Sequence, residues 1–332
     1  GSVDGRLREY RHATCDVLVI GAGPAGLAAV NVLKGAGRNI VLVDQAPVPG
    51  GTLRWEDAQI DGQDAAVWAE AVVESFRAEN GQVLLNTFVT GAYEGNFFTL
   101  VEGLLDEGGL RGERVWKLRA DQVVLATGAV DRPLIYQNND RPGTMLSASV
   151  RQFIGEYGVA PGRQLAIFTN NDSGYLTALK AVAVGMDPPH VIDTRTVPSE
   201  AHVEAARAAG IRVYTDSQVS NVVGGKAVRA VNLRNGQGLS HVLPCDALAL
   251  AGGATPIVHL AAHRGAKPVY DEGSVSFICP DLPKKWHGAG AVTGERNLAD
   301  VLAQGHAAGR MIAGTDADTP AAEVALEMGM VT

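Results

Sequence analysis

The apolar positions of this 332-residue chain fall into short unbroken runs, separated by glycine-rich turns and by stretches of mixed polarity. Val17, Leu18, Val19 and Ile20 form one such run and Ile40 to Val43 another. Unbroken runs of this length read as strands buried on both faces, the pattern of a parallel sheet. Between them Leu27 to Leu33 reads as an apolar helix. The pattern then predicts a helix over 65–79, stopped by Asn80-Gly81, and short strands over 83–85, 97–101 and 115–119. The turn-rich links of those strands point to an antiparallel layer. Asp121 to Leu125 is a further strand, ending in Ala126-Thr127-Gly128. A helix over 147–157 and a linker over 158–162 lead into a second alternating set. It has strands over 165–168, 190–193, 211–214, 219–223, 227–233 and 247–250, with helices over 176–184 and 199–209. That set closes at Ala251-Gly252-Gly253, an echo of Ala126-Thr127-Gly128. A last helix covers about 297–313. The polar residues 3–14 read as a lead-in, and the acidic tail from Thr315 as loose.

The first strand–helix junction carries a recognisable chemistry. Gly21, Gly23 and Gly26 stand at G-x-G-x-x-G spacing, with Pro24 and Ala25 between the last two. A tight turn needs Gly21. The absent Cβ of Gly23 lets a pyrophosphate approach the backbone, and Gly26 lets the helix pack closely on the strand. The helix start offers free N–H groups and a partial positive charge to phosphates. Asp44 ends the second strand, 18 residues beyond Gly26, where its carboxylate can accept hydrogen bonds from a ribose. Gln45 follows, so no Arg stands there to hold a 2′-phosphate. Gly51 and Thr52, in the loop after that strand, can pass close to a bound dinucleotide. With the alternation repeated further along, the fold class is α/β, two Rossmann-like dinucleotide-binding domains with the second inserted in the first. The expected bounds are 12–142 and 255–314 for the first domain and 143–254 for the second, with flanking segments at 1–11 and 315–332.

Composition narrows the partners. The formal net charge is −8 and no basic cluster occurs, which argues against nucleic acid. No run of 18 apolar residues exists, so no membrane-spanning helix is expected, and the cytoplasm is the expected location. Cys15, Cys245 and Cys279 are far apart and form no C-x-x-C, so they read as small buried hydrophobes rather than a redox pair. The 40 glycines exceed the usual share of about 7% and fit many close turns. The leading Gly-Ser reads as a cloning remnant. Of eight histidines only His259 and His263 have a helical spacing, without a carboxylate partner, so no metal site is expected. Arg132 and Arg141 flank a linker and read as ion-pair partners. No catalytic group can be named.

Three strings carry a closer likeness: Ala126 to Pro133 (ATGAVDRP), Asn138 to Gly143 (NNDRPG) and Phe168 to Ser173 (FTNNDS). Together with the first motif and Gly288 to Gly294, they resemble the two-dinucleotide-binding flavoproteins of the glutathione reductase type. More closely, they resemble the alpha subunits of heterotetrameric sarcosine oxidases and the related opine oxidase and cyanide synthase subunits. The resemblance covers about 12–314. It implies a module of a flavoenzyme complex that demethylates sarcosine or a related secondary amine oxidatively, together with a beta subunit. It also implies NAD held by this chain, with flavin on or against the beta subunit. Whole alpha subunits are far longer, so the chain reads as an excised central module or a short relative. Two other readings stay open: a self-sufficient FAD/NAD(P)H oxidoreductase, and a non-catalytic assembly module with a structural nucleotide.

Two departures from the pattern bear on the chemistry. Where the second unit's glycines would stand, the chain has Thr169, Asn170, Asn171, Asp172, Ser173 and Gly174, so no ordinary NADPH site is expected there. Thr169, Asn170, Asn171 and Ser173 can either cap the following helix or hold a single phosphate, such as that of an FMN shared with a partner. The other departure follows Gly290. The resemblance implies an Asp at the next position that binds the ribityl chain of FAD, and this chain has Ala291, which accepts no hydrogen bond. That favours NAD over FAD at a site built from Gly21, Gly23, Pro24, Ala25, Gly26, Asp44, Gln45, Gly51, Thr52, Ala126, Thr127, Gly128, Gly290 and Ala291.

Overall fold

The computed structural model describes residues 7–106, 109–314 and 324–326. They divide into two compact units. One takes the described residues of 1–53, 58–129 and 256–326, and the other takes 54–57 and 130–255.

The first unit is built on one sheet. Gln82–Leu84, Ile40–Val43, Leu7–Ile20 and Gly109–Leu125 lie side by side and parallel. Trp286–Gly288 adds in parallel to the last of these. The N-terminal part of Gly109–Leu125 continues antiparallel into Phe97–Asp106 and Thr87–Tyr93. The helices Pro24–Leu33, Ala65–Ala78 and Leu298–Ala313 bury Leu27, Phe76 and Leu302 against Val17, Val19, Leu42 and Val124 on one face. On the other face Leu18, Val41 and Val123 pack with Phe98, Leu100 and Leu118 of the antiparallel strands. Strict alternation of inward residues thus lets each parallel strand be buried twice, which is why those strands are apolar throughout.

Several expected elements change here. Residues 3–14 do not form a lead-in over their described part: Leu7–Ile20 is one strand, paired in register with Gly112 to Leu125. Its first half stays polar because that part is largely exposed. Residues 115–119 and 121–125 form one strand, not two, and 82–84 joins the parallel part rather than an antiparallel layer. The loose tail falls mostly outside the described residues, but Val324–Leu326 pairs antiparallel with Ala58–Ile60.

The second unit repeats the layering. Thr144–Leu146, Ala247–Ala251, Leu165–Thr169, His190–Asp193 and Arg212–Tyr214 form a parallel sheet in that order. Ser147–Gly155, Ser173–Ala183 and Glu200–Ala208 cover one face. A three-stranded antiparallel sheet of Ser217–Val223, Ala230–Asn235 and Ser240–Pro244 contributes to the core of the other. The segment 54–57 is fixed to this unit by three ion pairs. Arg54 meets Glu156 at 3.0 Å, Glu56 meets the buried Arg151 at 2.8 Å, and Asp57 meets the buried Lys180 at 2.8 Å.

Candidate functional site

In an open α/β sheet, ligands bind outside the carboxyl ends of the strands. In the first unit those ends gather nearly every residue singled out from sequence. Gly21 has a φ of 107°, and a side chain there would run into the Ala126 carbonyl. The turn is therefore closed against the end of the neighbouring strand. A Cβ on Gly26 would run into the carbonyl of Gly21, so the helix sits directly on the turn. At Gly23 an added Cβ would meet nothing within 4 Å. Of the three glycines, two are required by packing and one leaves open space where a pyrophosphate would lie.

The helix start behind that space is also open. Pro24 is its first residue and Gly23 caps it without any side-chain hydrogen bond. Its first-turn N–H groups therefore point outward, with the helix's partial positive charge behind them. Asp44 plays a part that the sequence left out. Its Oδ2 accepts from Ala22 N–H at 2.6 Å and its Oδ1 from Ala46 N–H at 2.7 Å. The carboxylate thus ties the glycine turn to the loop that follows it, and each oxygen keeps a lone pair for a ribose hydroxyl. That loop folds back: Gly50 N–H donates to the Ala22 carbonyl at 2.8 Å, and Gly51 lies against Gly23. Gln45 and Thr52 are exposed beside it. Thr127 and Gly128 hold the neighbouring loop by hydrogen bonds to the backbone of Ile257 at 2.8 and 3.0 Å. Gly290 packs against Ala25, and half-buried Ala291 follows it in the one-turn helix Gly290–Thr293.

The corresponding turn in the second unit is shut by its own side chains. Thr169 is fully buried, and its side chain fills the space in front of Gly174. Asn171 Oδ1 accepts from Ser173 N–H at 3.0 Å and from Ser173 Oγ at 2.6 Å, so the first helical donor is spent. Asn171 Nδ2 donates to the Ala251 carbonyl at 2.8 Å and to Asn170 Oδ1 at 2.9 Å. Asp193, at the end of the second strand as Asp44 is in the first unit, is wholly buried. It accepts from Tyr175 at 2.9 Å and is gripped by Arg195 at 2.8 Å, which also pairs with Asp172 at 2.8 Å. Burial and the Asp193 charge push the Tyr175 phenol well above its ordinary pKa.

No other site competes clearly. All three cysteines are free, and burial pushes the Cys15 and Cys245 thiols up to about 12, too high for nucleophiles at neutral pH. Among the described residues no cluster of His, Cys, Asp or Glu could hold a metal ion, and no helix is long and apolar enough to cross a membrane. A surface hollow lined by Ala92 to Glu94 and His263 to Gly265 includes none of the residues above.

Residues 15–275 match the pyridine nucleotide-disulphide oxidoreductase family. The chain belongs to that family. The chain's three cysteines, Cys15, Cys245 and Cys279, form no disulfide. Among oxidoreductases of known name, the sarcosine oxidase subunit alpha of Rhizobium meliloti (strain 1021) is 40% identical over 305 residues, covering 90% of this chain and 30% of that protein. The chain thus spans about a third of such relatives' length. A ferredoxin--NADP reductase of Saccharopolyspora erythraea is 30% identical over 260 residues, covering 72% of this chain and 73% of that protein. The fold is that of the thioredoxin reductase of T. acidophilum, with a TM-score of 0.71 at 17% identity, covering 91% of this chain and 98% of that one.

Proposed function

We propose that this chain is the nucleotide-binding module of a sarcosine-oxidase-like complex acting on a small secondary amine, and that it holds NAD in its first unit. The observation that carries this reading is the contrast between the two turns. The first is open at Gly23, with uncapped helix donors behind it, whereas the second has spent its donors on Asn171 and Ala251. Gly21, Gly23 and Gly26 would take the pyrophosphate, Asp44 the adenine ribose, and Gly51, Thr127 and Gly290 the flanks. Ala291 supports NAD over FAD, because its methyl group cannot anchor a ribityl hydroxyl. Bound NAD would supply a nicotinamide ring able to exchange a hydride. On this reading, flavin chemistry and the amine pocket belong with a beta subunit. A self-sufficient FAD/NAD(P)H oxidoreductase would need a second dinucleotide site, and the hydrogen-bonded turn of the second unit argues against one.

Releasing the ligand by denaturation and weighing it by mass spectrometry tests the reading. NAD is expected. FAD would favour the self-sufficient oxidoreductase instead. Asp44→Ala should weaken binding by about 1.5–3 kcal/mol, as for a charge-assisted hydrogen bond. Unchanged affinity in calorimetry would remove Asp44 from the site.

A further inference from the structure

The helix Leu298–Ala313 packs on Pro24–Leu33 at very short range. A Cβ on Gly305 would run into the Ala25 carbonyl and Ala28, and one on Gly309 would lie 2.8 Å from the Ala29 carbonyl. The residue before Gly305 is Gln304, which is half-buried. Its side chain reaches the turn that packs on Ala25. Gln304 Oε1 accepts from Gly290 N–H at 2.9 Å and lies 2.9 Å from Thr293 Oγ. A backbone N–H can only donate, so the atom facing Gly290 must be the amide oxygen. This fixes which way the amide faces. The Nε2 group makes no hydrogen bond among the described residues, leaving two donors unspent. They belong to a side chain anchored to Gly290, which itself packs against the first turn of the helix with the open N-terminus.

A neutral double donor on a side chain tied to the turn that packs on the uncapped helix start is suited to an anionic oxygen. We infer that Gln304 Nε2 donates to a diphosphate oxygen of the bound nucleotide, and so selects for a diphosphate-bearing ligand. The inference rests on the first unit being the nucleotide site. It also gives the Gly290–Thr293 turn a purpose without a carboxylate at Ala291, since the turn holds the Gln304 amide in one orientation.

The test is Gln304→Glu. A carboxylate can still accept from Gly290 and Thr293, so the turn is kept, while the donors are replaced by negative charge. Calorimetry would compare NAD, ADP and adenosine on wild type and variant. NAD and ADP are expected to bind about tenfold or more weakly in the variant, a loss of ~1.4 kcal/mol or more. Adenosine, which has no phosphate, should bind as before. Wild-type affinity for NAD in the variant, or an equal loss for adenosine, would overturn the inference while leaving the nucleotide site standing. If wild type binds none of the three ligands, the underlying reading falls, and this inference with it. Should the variant melt early, Gln304→Met serves, being similar in length and uncharged. Full ADP affinity there would also overturn it.

Discussion

At the scale of single residues, Gly23 and Gly26 separate function from folding. Adding atoms at Gly23 meets no protein, whereas at Gly26 the Gly21 carbonyl stands in the way. Gly23→Val should therefore leave the unfolding midpoint nearly unchanged and abolish nucleotide binding. Gly26→Ala should cost about 1–3 kcal/mol of stability, because a tightly packed contact has no room for a methyl group. Chemical denaturation of both variants checks this, and equal midpoints would contradict it. The expectation that Asp44 accepts from a ribose came from its place at a strand end; its hold on Ala22 and Ala46 was not legible, since loop hydrogen bonds leave no periodic trace. Burial also holds His190, His287 and His306 below the ordinary value of 6.5. Arg212 adds to this at His190. At His306, whose two ring nitrogens have no hydrogen-bond partner among the described residues, Arg310 adds to it and Asp61 opposes it. The folded chain therefore resists a proton that the unfolded chain accepts. Stability should be full above about pH 6.5 and fall as the pH drops below it. His306→Leu should flatten the dependence of melting temperature on pH in that range, and an unaltered slope would clear His306 of any part in it.

At the scale of elements, the two βαβ starts look alike in hydrophobic pattern and differ in what fills the turn. The loss of glycines from 169–174 was readable, and it led to the expectation of no NADPH site there. The choice between capping and phosphate binding was not, because the same Thr, Asn and Ser side chains can do either. In the structure Asn171 Oδ1 is hydrogen-bonded to Ser173, the first residue of that helix. Thr169→Gly combined with Asn171→Gly should lower stability by about 1–3 kcal/mol through a lost buried side chain and its bonds. It should create no NADPH site, since Asp193 stays held by Tyr175 and Arg195. Fluorescence titration with NADPH checks this, and tight binding by the double variant would count against it. The segment 54–57 shows another limit. Its charges pair with Arg151, Glu156 and Lys180, about a hundred positions away, and only the fold brings them together.

For the whole molecule, the chain alone is expected not to oxidise sarcosine. Amine oxidation needs a hydride acceptor close to the substrate, and on the proposed reading the flavin and the amine pocket belong with a beta subunit. Purified chain mixed with sarcosine should release no peroxide, while adding a beta subunit is expected to restore release. Peroxide from the chain alone would overturn the proposed division of labour. The sequence by itself determined the α/β class and the repeated dinucleotide-binding pattern, because buried parallel strands must be apolar on both faces and a phosphate-binding turn must be glycine-rich. It also determined which glycine set had decayed. The tertiary structure alone decided that residues 7–20 form one continuous strand, that Asp44 and Gln304 each tie a loop by hydrogen bonds, and that the side chains of the second turn bond to one another. Each of those outcomes depends on hydrogen bonds between residues distant in sequence or within irregular turns. Such bonds are set by where the backbone comes to lie, and polarity along the chain does not record it.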